Sequence, residues 1–557
     1  MLARCSGAAL VGLEARAVAV EVDIAPGLPG LQVVGLADAA VQESRQRVRA
    51  AIRNSQLRMP LTRVIVNLAP ADLRKEGPAF DLPIALAVLA ASGQLDPSQL
   101  EGIWCAGELG LGGELRPVRG AVALALAAQR QGARALLLPR ANQREAALVE
   151  QLPLAVAGSL SEALHWLQQP DRAAAPDLAD APVPSAEAPP LGDLASVQGQ
   201  LHGRRALEIA AAGGHHLLLV GPPGSGKTLL ARCLPGLLPE LSRAEQLELT
   251  QLYSVAGLLG AQGGLLQQRP FRSPHHSCSS AALVGGGAQL RPGELPLAHR
   301  GVLFLDELAE FRRDVLNQLR QPLEQEELWL SRARQRLRFP CAVNLVAATN
   351  PCACGWAGDP ERTCSCGTAQ QQRYWSRLSG PLLDRIDLQV VMRRLEGSVL
   401  GAGFRASTAT ETNAPETNAA EASAVVRERV EAARERMRNR NPQGVSNRQL
   451  SAKDLRQCGA IGSDALDLWQ RAIDQRGLSA RAAERVLRVG RTIADLSGHP
   501  TVDASAIAEA LSYRSFDQLS AAGAGRDRAA HPPAAADAGA PPGGFRRRCQ
   551  RSSRASD

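Results

Sequence analysis

Val220-Gly-Pro-Pro-Gly-Ser-Gly-Lys-Thr228 decides how this chain is read. The apolar run Leu217 to Val220 in front of it predicts a buried strand, and Leu229-Leu-Ala-Arg232 behind it predicts a helix. Between them, Gly221, Gly224 and Gly226 let the backbone turn so that its N–H groups converge on phosphate oxygens, with the dipole of the following helix added. Lys227 is expected to hold the β and γ phosphates of ATP, and the Thr228 hydroxyl to bind Mg²⁺. Gly221, Pro222, Pro223, Gly224, Ser225, Gly226, Lys227 and Thr228 together form the expected nucleotide cradle. A strand, this loop and a helix in that order belong to a parallel α/β sheet.

Downstream, Gly301-Val-Leu-Phe-Leu-Asp-Glu307 reads as a buried strand ending in two carboxylates. Asp306 is expected to bind Mg²⁺ through water, and Glu307 to polarise the attacking water as general base. A third apolar strand, Val343-Asn-Leu-Val-Ala-Ala-Thr-Asn350, ends in an amide suited to sensing the γ-phosphate. Near the end of this core, Ser379-Gly-Pro-Leu-Leu-Asp-Arg-Ile-Asp387 places Arg385 where, in a ring, it projects into a neighbour's site as an arginine finger. The alternative for Arg385 is an ion pair with Asp384 or Asp387. In the C-terminal part, Arg481 at a helix start is the candidate second sensor of the nucleotide, and Arg485 and Arg488 read as a solvated face.

Cys352-Ala-Cys354 and Cys364-Ser-Cys366 admit two readings, a zinc site of four thiolates or free thiols on a loop, because the CxC pairs are tighter than the usual ligand spacing. Two arginine-bearing stretches are candidates for gripping a phosphate backbone: Leu330-Ser-Arg-Ala-Arg-Gln-Arg-Leu-Arg-Phe339, as a hairpin, and Phe271-Arg-Ser-Pro-His-His276, as an inserted loop. Each also reads as a solvated face.

A chain of 557 residues exceeds one ordinary core. Strand and helix units alternate through 1–168, with Val64-Ile-Val-Asn-Leu68 and Ala133 to Pro139 as apolar strands. A flexible linker is expected over 169–190, the ATPase core over 191–400, a low-complexity insertion over 401–423, a helical lid domain over 424–515 and a disordered tail over 516–557. The net charge of +8 is carried almost wholly by arginine, since Lys75, Lys227 and Lys453 are the only lysines, and it fits DNA or another polyanion as partner. No stretch reaches the ~18–20 unbroken apolar residues of a membrane span, so no membrane partner is expected. Four of the eleven cysteines cluster instead of forming a disulfide framework, which fits a reducing cytoplasm.

Val197-Gln-Gly-Gln200, Arg205 to His215, the phosphate loop, Phe271 to Ser277, the 301–308 strand and Ser379 to Leu388 together resemble the magnesium-chelatase-like AAA+ family. The resemblance implies a Lon-protease-like α/β N-terminal domain, an AAA+ core and a C-terminal helical lid. It also implies a hexameric ring acting as a DNA helicase in branch migration during natural transformation, on single-stranded or branched DNA. Where active Lon proteases carry a serine, Gly77-Pro-Ala-Phe-Asp81 offers Ala79, and Pro117-Val-Arg-Gly-Ala-Val122 offers valine for the lysine. Peptidase activity needs both groups and is not expected. Two competing functions are a chelatase-type motor that remodels a protein partner and a Lon-like regulatory or scaffold protein.

Overall fold

Alternation of apolar and polar residues creates the first two strands, Leu2–Val11 (β1) and Glu14–Ala25 (β2), an antiparallel pair whose Val18, Val20 and Val22 turn inward. The chain is seen here as a computed structural model that describes residues 2–169, 192–259, 264–287, 290–332, 335–359, 361–378, 380–395 and 421–514. β1 and β2 join Gly30–Val34 (β3), Arg63–Ala69 (β4), Ile103–Cys105 (β5), Ala135–Pro139 (β6) and Leu154–Ala157 (β7) in a seven-stranded sheet of order β3-β4-β2-β1-β5-β6-β7. Helix Asp81–Ala91 (α1) is buried along its whole length against this sheet. The start of the chain is thus a strand, and the apolar runs around Val64 and Leu137 are strands too.

The second sheet is five-stranded and wholly parallel: Leu217–Val220 (β8), Phe271–Arg272 (β9), Val302–Leu305 (β10), Asn344–Thr349 (β13) and Leu388–Val391 (β14), in the order β9-β10-β13-β8-β14. Strands Glu327–Arg332 (β11) and Gln335–Pro340 (β12) form a separate hairpin between β10 and β13. The chain leaves β8 towards β9 on one side of the sheet and later crosses from β13 past β8 to β14 on the other, so the C-terminal end of β8 lies where the strand order reverses, the place where open α/β sheets take ligands.

Helix Ala121–Arg130 (α2) of the N-terminal part packs near Arg243–Ala256 (α4), where the Gly120 amide donates to the Ser254 carbonyl at 3.1 Å and Gln251 donates to the Leu13 carbonyl at 2.6 Å. Lys227–Leu237 (α3) follows the phosphate loop, and Thr368–Ser376 (α5) follows the cysteine loop. The C-terminal part is helical: Ser423–Arg440 (α6), Ser463–Arg476 (α7), Ala480–Leu496 (α8) and Ala504–Ser512 (α9). Val430, Val486, Ile493 and Ile507 share one apolar cluster with Leu217, Leu219 and Val346, so the helices and the sheet have a common core. The expected linker, insertion and tail fall outside the described residues, apart from Gln169 and residues 421–423, of which Ser423 opens α6. Among the described residues no helix is long and apolar enough to cross a membrane.

Candidate nucleotide site

β8 ends at Val220, and the chain turns through Gly221 to Gly226 into α3, whose first residue is Lys227. Gly224 and Gly226 have φ of +78° and +86°, a left-handed conformation that a side chain would strain. Lys227 folds back over the loop: its Nζ donates to the carbonyls of Gly221 at 2.7 Å and Pro222 at 2.9 Å, and to Asn350 Oδ1 at 3.3 Å. Burial lowers the Lys227 pKa, and Asp306 acts in the opposite direction. Neutral carbonyls are weaker acceptors than phosphate oxygens, so this ammonium is available to an anion entering the loop.

The hydroxyl of Thr228 donates to Asp306 Oδ2 at 3.0 Å, past the end of the intervening strand β13. This pair of hard oxygen donors suits Mg²⁺. Asp306 Oδ1 also accepts the Glu307 amide at 2.9 Å. Glu307 itself adopts φ of +52°, and its carboxylate is half exposed. Asn350 follows β13 directly, and the turn after it is pinned by Thr349 Oγ1 against Tyr374 Oη at 2.9 Å and by Trp375 Nε1 donating to the Pro351 carbonyl at 3.0 Å. Lys227, Thr228, Asp306 and Asn350 therefore meet at the C-terminal edge of the parallel sheet.

One partner in this site escaped the sequence reading. His276 Nδ1 lies 2.9 Å from Glu307 Oε2, its ring 4.1 Å from that of His275 and edge-on to Phe311 at 6.4 Å. The loop expected over Phe271 to His276 forms only from Ser273 onward. Phe271–Arg272 is the edge strand of the core sheet, Arg272 is spent on Glu294 through two contacts of 2.6 and 2.7 Å, and the chain beyond β9 delivers His276 to the carboxylate. Two adjacent histidines after a strand were the available signal.

Arg385 and Arg481 lie elsewhere. They line a second cavity of about 370 Å³, together with Arg448, Arg485, Arg488 and Asp387, and no residue from the phosphate loop, nor Asp306, Glu307 or Asn350, lines it. Arg385 is buried, with Nη2 2.8 Å from Glu324 and Nε donating to the Arg320 carbonyl at 2.8 Å, so its acidic neighbour is Glu324 and neither Asp384 nor Asp387. Arg481 is exposed at the start of α8.

The solvated face expected for Arg485 and Arg488 does not exist. Arg485 is 8 % exposed, with Nη1 3.5 Å from Asp387 Oδ1 and with its Nε and Nη1 making no hydrogen bond. Arg488, half-buried, donates to the Leu450 carbonyl at 2.7 Å. Residues 481, 485 and 488 share one face of α8, which lines the second cavity: Arg481 at its start is exposed, while Arg485 and Arg488 are drawn inward. Burial pushes the Asp387 carboxyl up, yet Arg485 and His215 outweigh it and hold it well below its ordinary value.

The four clustered cysteines come together, with Cys352 Sγ 3.3 Å from Cys354 Sγ and 3.6 Å from Cys364 Sγ, and all four sulfurs within 4.8 Å of one another. On the hairpin, Arg336 stacks over the Trp329 ring at 4.4 Å, Trp329 is 42 % exposed, and Arg338 pairs with Glu327. The hairpin tip, Ala333 and Arg334, lies outside the described residues. In the N-terminal part, Ala79 sits in a short turn at Pro78–Phe80, and the buried Lys75 donates to the Pro70 carbonyl.

Residues 193–400 match the family described as magnesium chelatase, subunit ChlI, residues 20–142 match subunit ChlI of Mg-chelatase, and residues 420–514 match the subunit ChlI C-terminal family. The competence protein ComM of Haemophilus influenzae is 43% identical over 516 residues, which is 92% of this chain and 97% of that protein. The uncharacterised protein YifB of Escherichia coli is 43% identical over 513 residues, 92% of this chain and 96% of that one. Lon protease 2 of Bacillus subtilis is 31% identical over 147 residues, 25% of this chain and 26% of that protein.

Proposed function

The chain belongs to the magnesium-chelatase-like AAA+ ATPase family, and from that premise we propose that it is an ATP-driven motor which moves DNA as a ring, most closely a branch-migrating helicase. The observation that carries this reading is the division of one reaction's groups between two places on one chain. Lys227 grips the β and γ phosphates, Glu307 draws a proton from the lytic water, and Asn350 positions that water. Thr228 and Asp306 would hold Mg²⁺, which would neutralise phosphate charge. Arg385 and Arg481, in a cavity of their own, are left to complete the phosphate loop of a neighbouring copy, as in a hexameric ring. Arg485, buried beside Asp387, lines the same cavity.

DNA as the track is favoured by the β11–β12 hairpin, whose exposed Trp329 and stacked Arg336 offer a base-stacking face beside a cation. A relative named for competence points the same way. With Ala79 at the nucleophile position, the Lon-like part acts as a scaffold and not as a peptidase.

The test is ATP hydrolysis by the full chain with and without single-stranded, duplex and branched DNA, with particle size measured in the same nucleotide conditions. Hydrolysis should rise several-fold with DNA, and Trp329→Ala should lose that rise while keeping the basal rate. A rate indifferent to every DNA would favour a chelatase-type motor working on a protein, and no hydrolysis in any assembly state would leave only a regulatory or scaffold role.

A further inference from the structure

We propose that Cys352, Cys354, Cys364 and Cys366 bind one zinc ion, and that this ion braces the turn carrying Asn350 against the phosphate loop. The second half rests on the ATPase reading, and the first does not.

Geometry argues for the ion. A tetrahedral zinc with Zn–S bonds of about 2.3 Å holds its sulfurs about 3.8 Å apart. The chain places Cys352 and Cys354 sulfurs 3.3 Å apart, Cys352 and Cys364 3.6 Å apart, and Cys354 and Cys364 3.5 Å apart. With all four sulfurs within 4.8 Å of one another, the space between them suits a single ion and is too small for a multi-iron cluster. These separations are well beyond the ~2.05 Å of a disulfide. Soft thiolates in a tetrahedral set select zinc over magnesium, so this site does not compete with Thr228 and Asp306 for their ion.

A second shell is present as well. The Cys354 amide donates to Cys366 Sγ at 3.4 Å, the Cys366 amide to Cys364 Sγ at 3.4 Å, and Gln371 Nε2 to Cys364 Sγ at 3.5 Å. Donors aimed at sulfur offset the negative charge that four thiolates bring to a divalent ion. As zinc binds, the thiols release their protons to solvent.

Position supplies the brace. Cys352 stands two residues after Asn350, and the loop between the cysteine pairs lies on the phosphate loop: at Gly355, with φ of +86°, an added Cβ would come within 2.9 Å of Pro223 Cδ. Beyond Cys366 the chain enters α5, whose Tyr374 and Trp375 pin Thr349 and Pro351 on either side of Asn350. A metal tying the two CxC pairs therefore closes a circuit from β13 through metal–thiolate bonds to α5, and back to the sensor turn through the Tyr374 and Trp375 hydrogen bonds.

The experiment uses untagged full-length protein prepared in reductant without chelator. Elemental analysis should find about one zinc per chain, a mercurial thiol reagent should release it to a colorimetric indicator, and cobalt in its place should show the strong visible bands of a tetrahedral tetrathiolate. Cys354→Ser and Cys366→Ser should each reduce zinc to background. If those variants aggregate, the stoichiometry and the cobalt spectrum of the native chain decide alone. Absence of both signals, or iron in place of zinc, overturns the assignment. For the brace, native protein is stripped and reloaded while the affinity for a fluorescent ADP analogue is followed. Affinity should fall several-fold and return with zinc, and an unchanged affinity overturns the brace. A chain that holds zinc but hydrolyses no ATP would sink the motor and leave the metal site standing.

Discussion

Mixing two inactive variants tests whether the reaction's groups are shared between copies. Arg385→Ala removes one of the arginines of the second cavity, and Lys227→Ala removes the ammonium folded over the glycine-rich loop. Arg385 is held by Glu324 and by the Arg320 carbonyl in a cavity without any phosphate-loop residue, so within one copy it does not reach the nucleotide. An arginine supplied to a transferring phosphoryl group is worth about 10³–10⁵ in rate, and each variant alone should therefore sit near background. Loss of Arg385 leaves Glu324, 43% exposed, to water, but it also empties a buried site and removes the donor to the Arg320 carbonyl, so folding and assembly of the variant are checked by thermal melts and particle size before mixing.

In a randomly mixed ring an interface works where an Arg385→Ala copy presents its intact Lys227 to the intact Arg385 of a Lys227→Ala copy. At equal amounts that order occurs at about one quarter of head-to-tail interfaces, whatever the ring size. Phosphate release should thus climb from background to roughly a quarter of the wild-type rate at equal mixing and fall symmetrically on either side. Subunit exchange is verified by energy transfer between labelled copies. Background rates at every ratio with exchange proven, or a wild-type rate from Arg385→Ala alone, would refute the sharing.

Glu307→Gln keeps the shape of the side chain and its reach to His276 but cannot take a proton, so kcat should fall about 10²- to 10⁴-fold while nucleotide affinity is retained, as read by single-turnover hydrolysis and fluorescent-nucleotide binding. Asp387→Asn strips the counter-charge from the buried Arg485 and should lower stability by about 3–5 kcal/mol in denaturant melts, with much of the loss recovered when Arg485→Met is added. Burial, with Arg448 beside it, pushes the His216 imidazole down to about 3, against a normal 6.5. Below about pH 6.5 the unfolded chain takes up a proton that the folded chain refuses, so stability should fall by a few kcal/mol as pH drops from about 6.5 toward 3. Asp387, held low beside it, adds its own loss once pH falls below the ordinary aspartate value of 3.8. Thermal melts across that range check the sign, and a midpoint that rises on acidification would contradict it.

The parts of the site legible in sequence are those whose chemistry is local. The phosphate loop needs a strand before it, glycines at fixed offsets and a helix after it, all within one short stretch, and β8, Gly226 and α3 appear where that grammar puts them. Asp306 and Asn350 are likewise the residues that follow buried strands, and parallel pairing brings strand ends to one edge without further instruction. The N-terminal strands were readable for the same reason, because their burial follows alternation.

What was not legible depends on which element lies opposite. Arg481, Arg485 and Arg488 have the spacing of one helical face, and spacing alone does not say whether that face meets water or a carboxylate. Asp387, some hundred residues earlier and at the foot of β14, makes the difference, since a guanidinium tolerates burial where an anion is held for it. His276 is the same problem beside the sheet: the sequence marks a pair of histidines on a loop, and only the pairing of β9 with β10 sets that loop beside Glu307. The Glu307 carboxylate is thus touched from the loop that follows the edge strand, four residues beyond β9, a contact that no local sequence pattern announces.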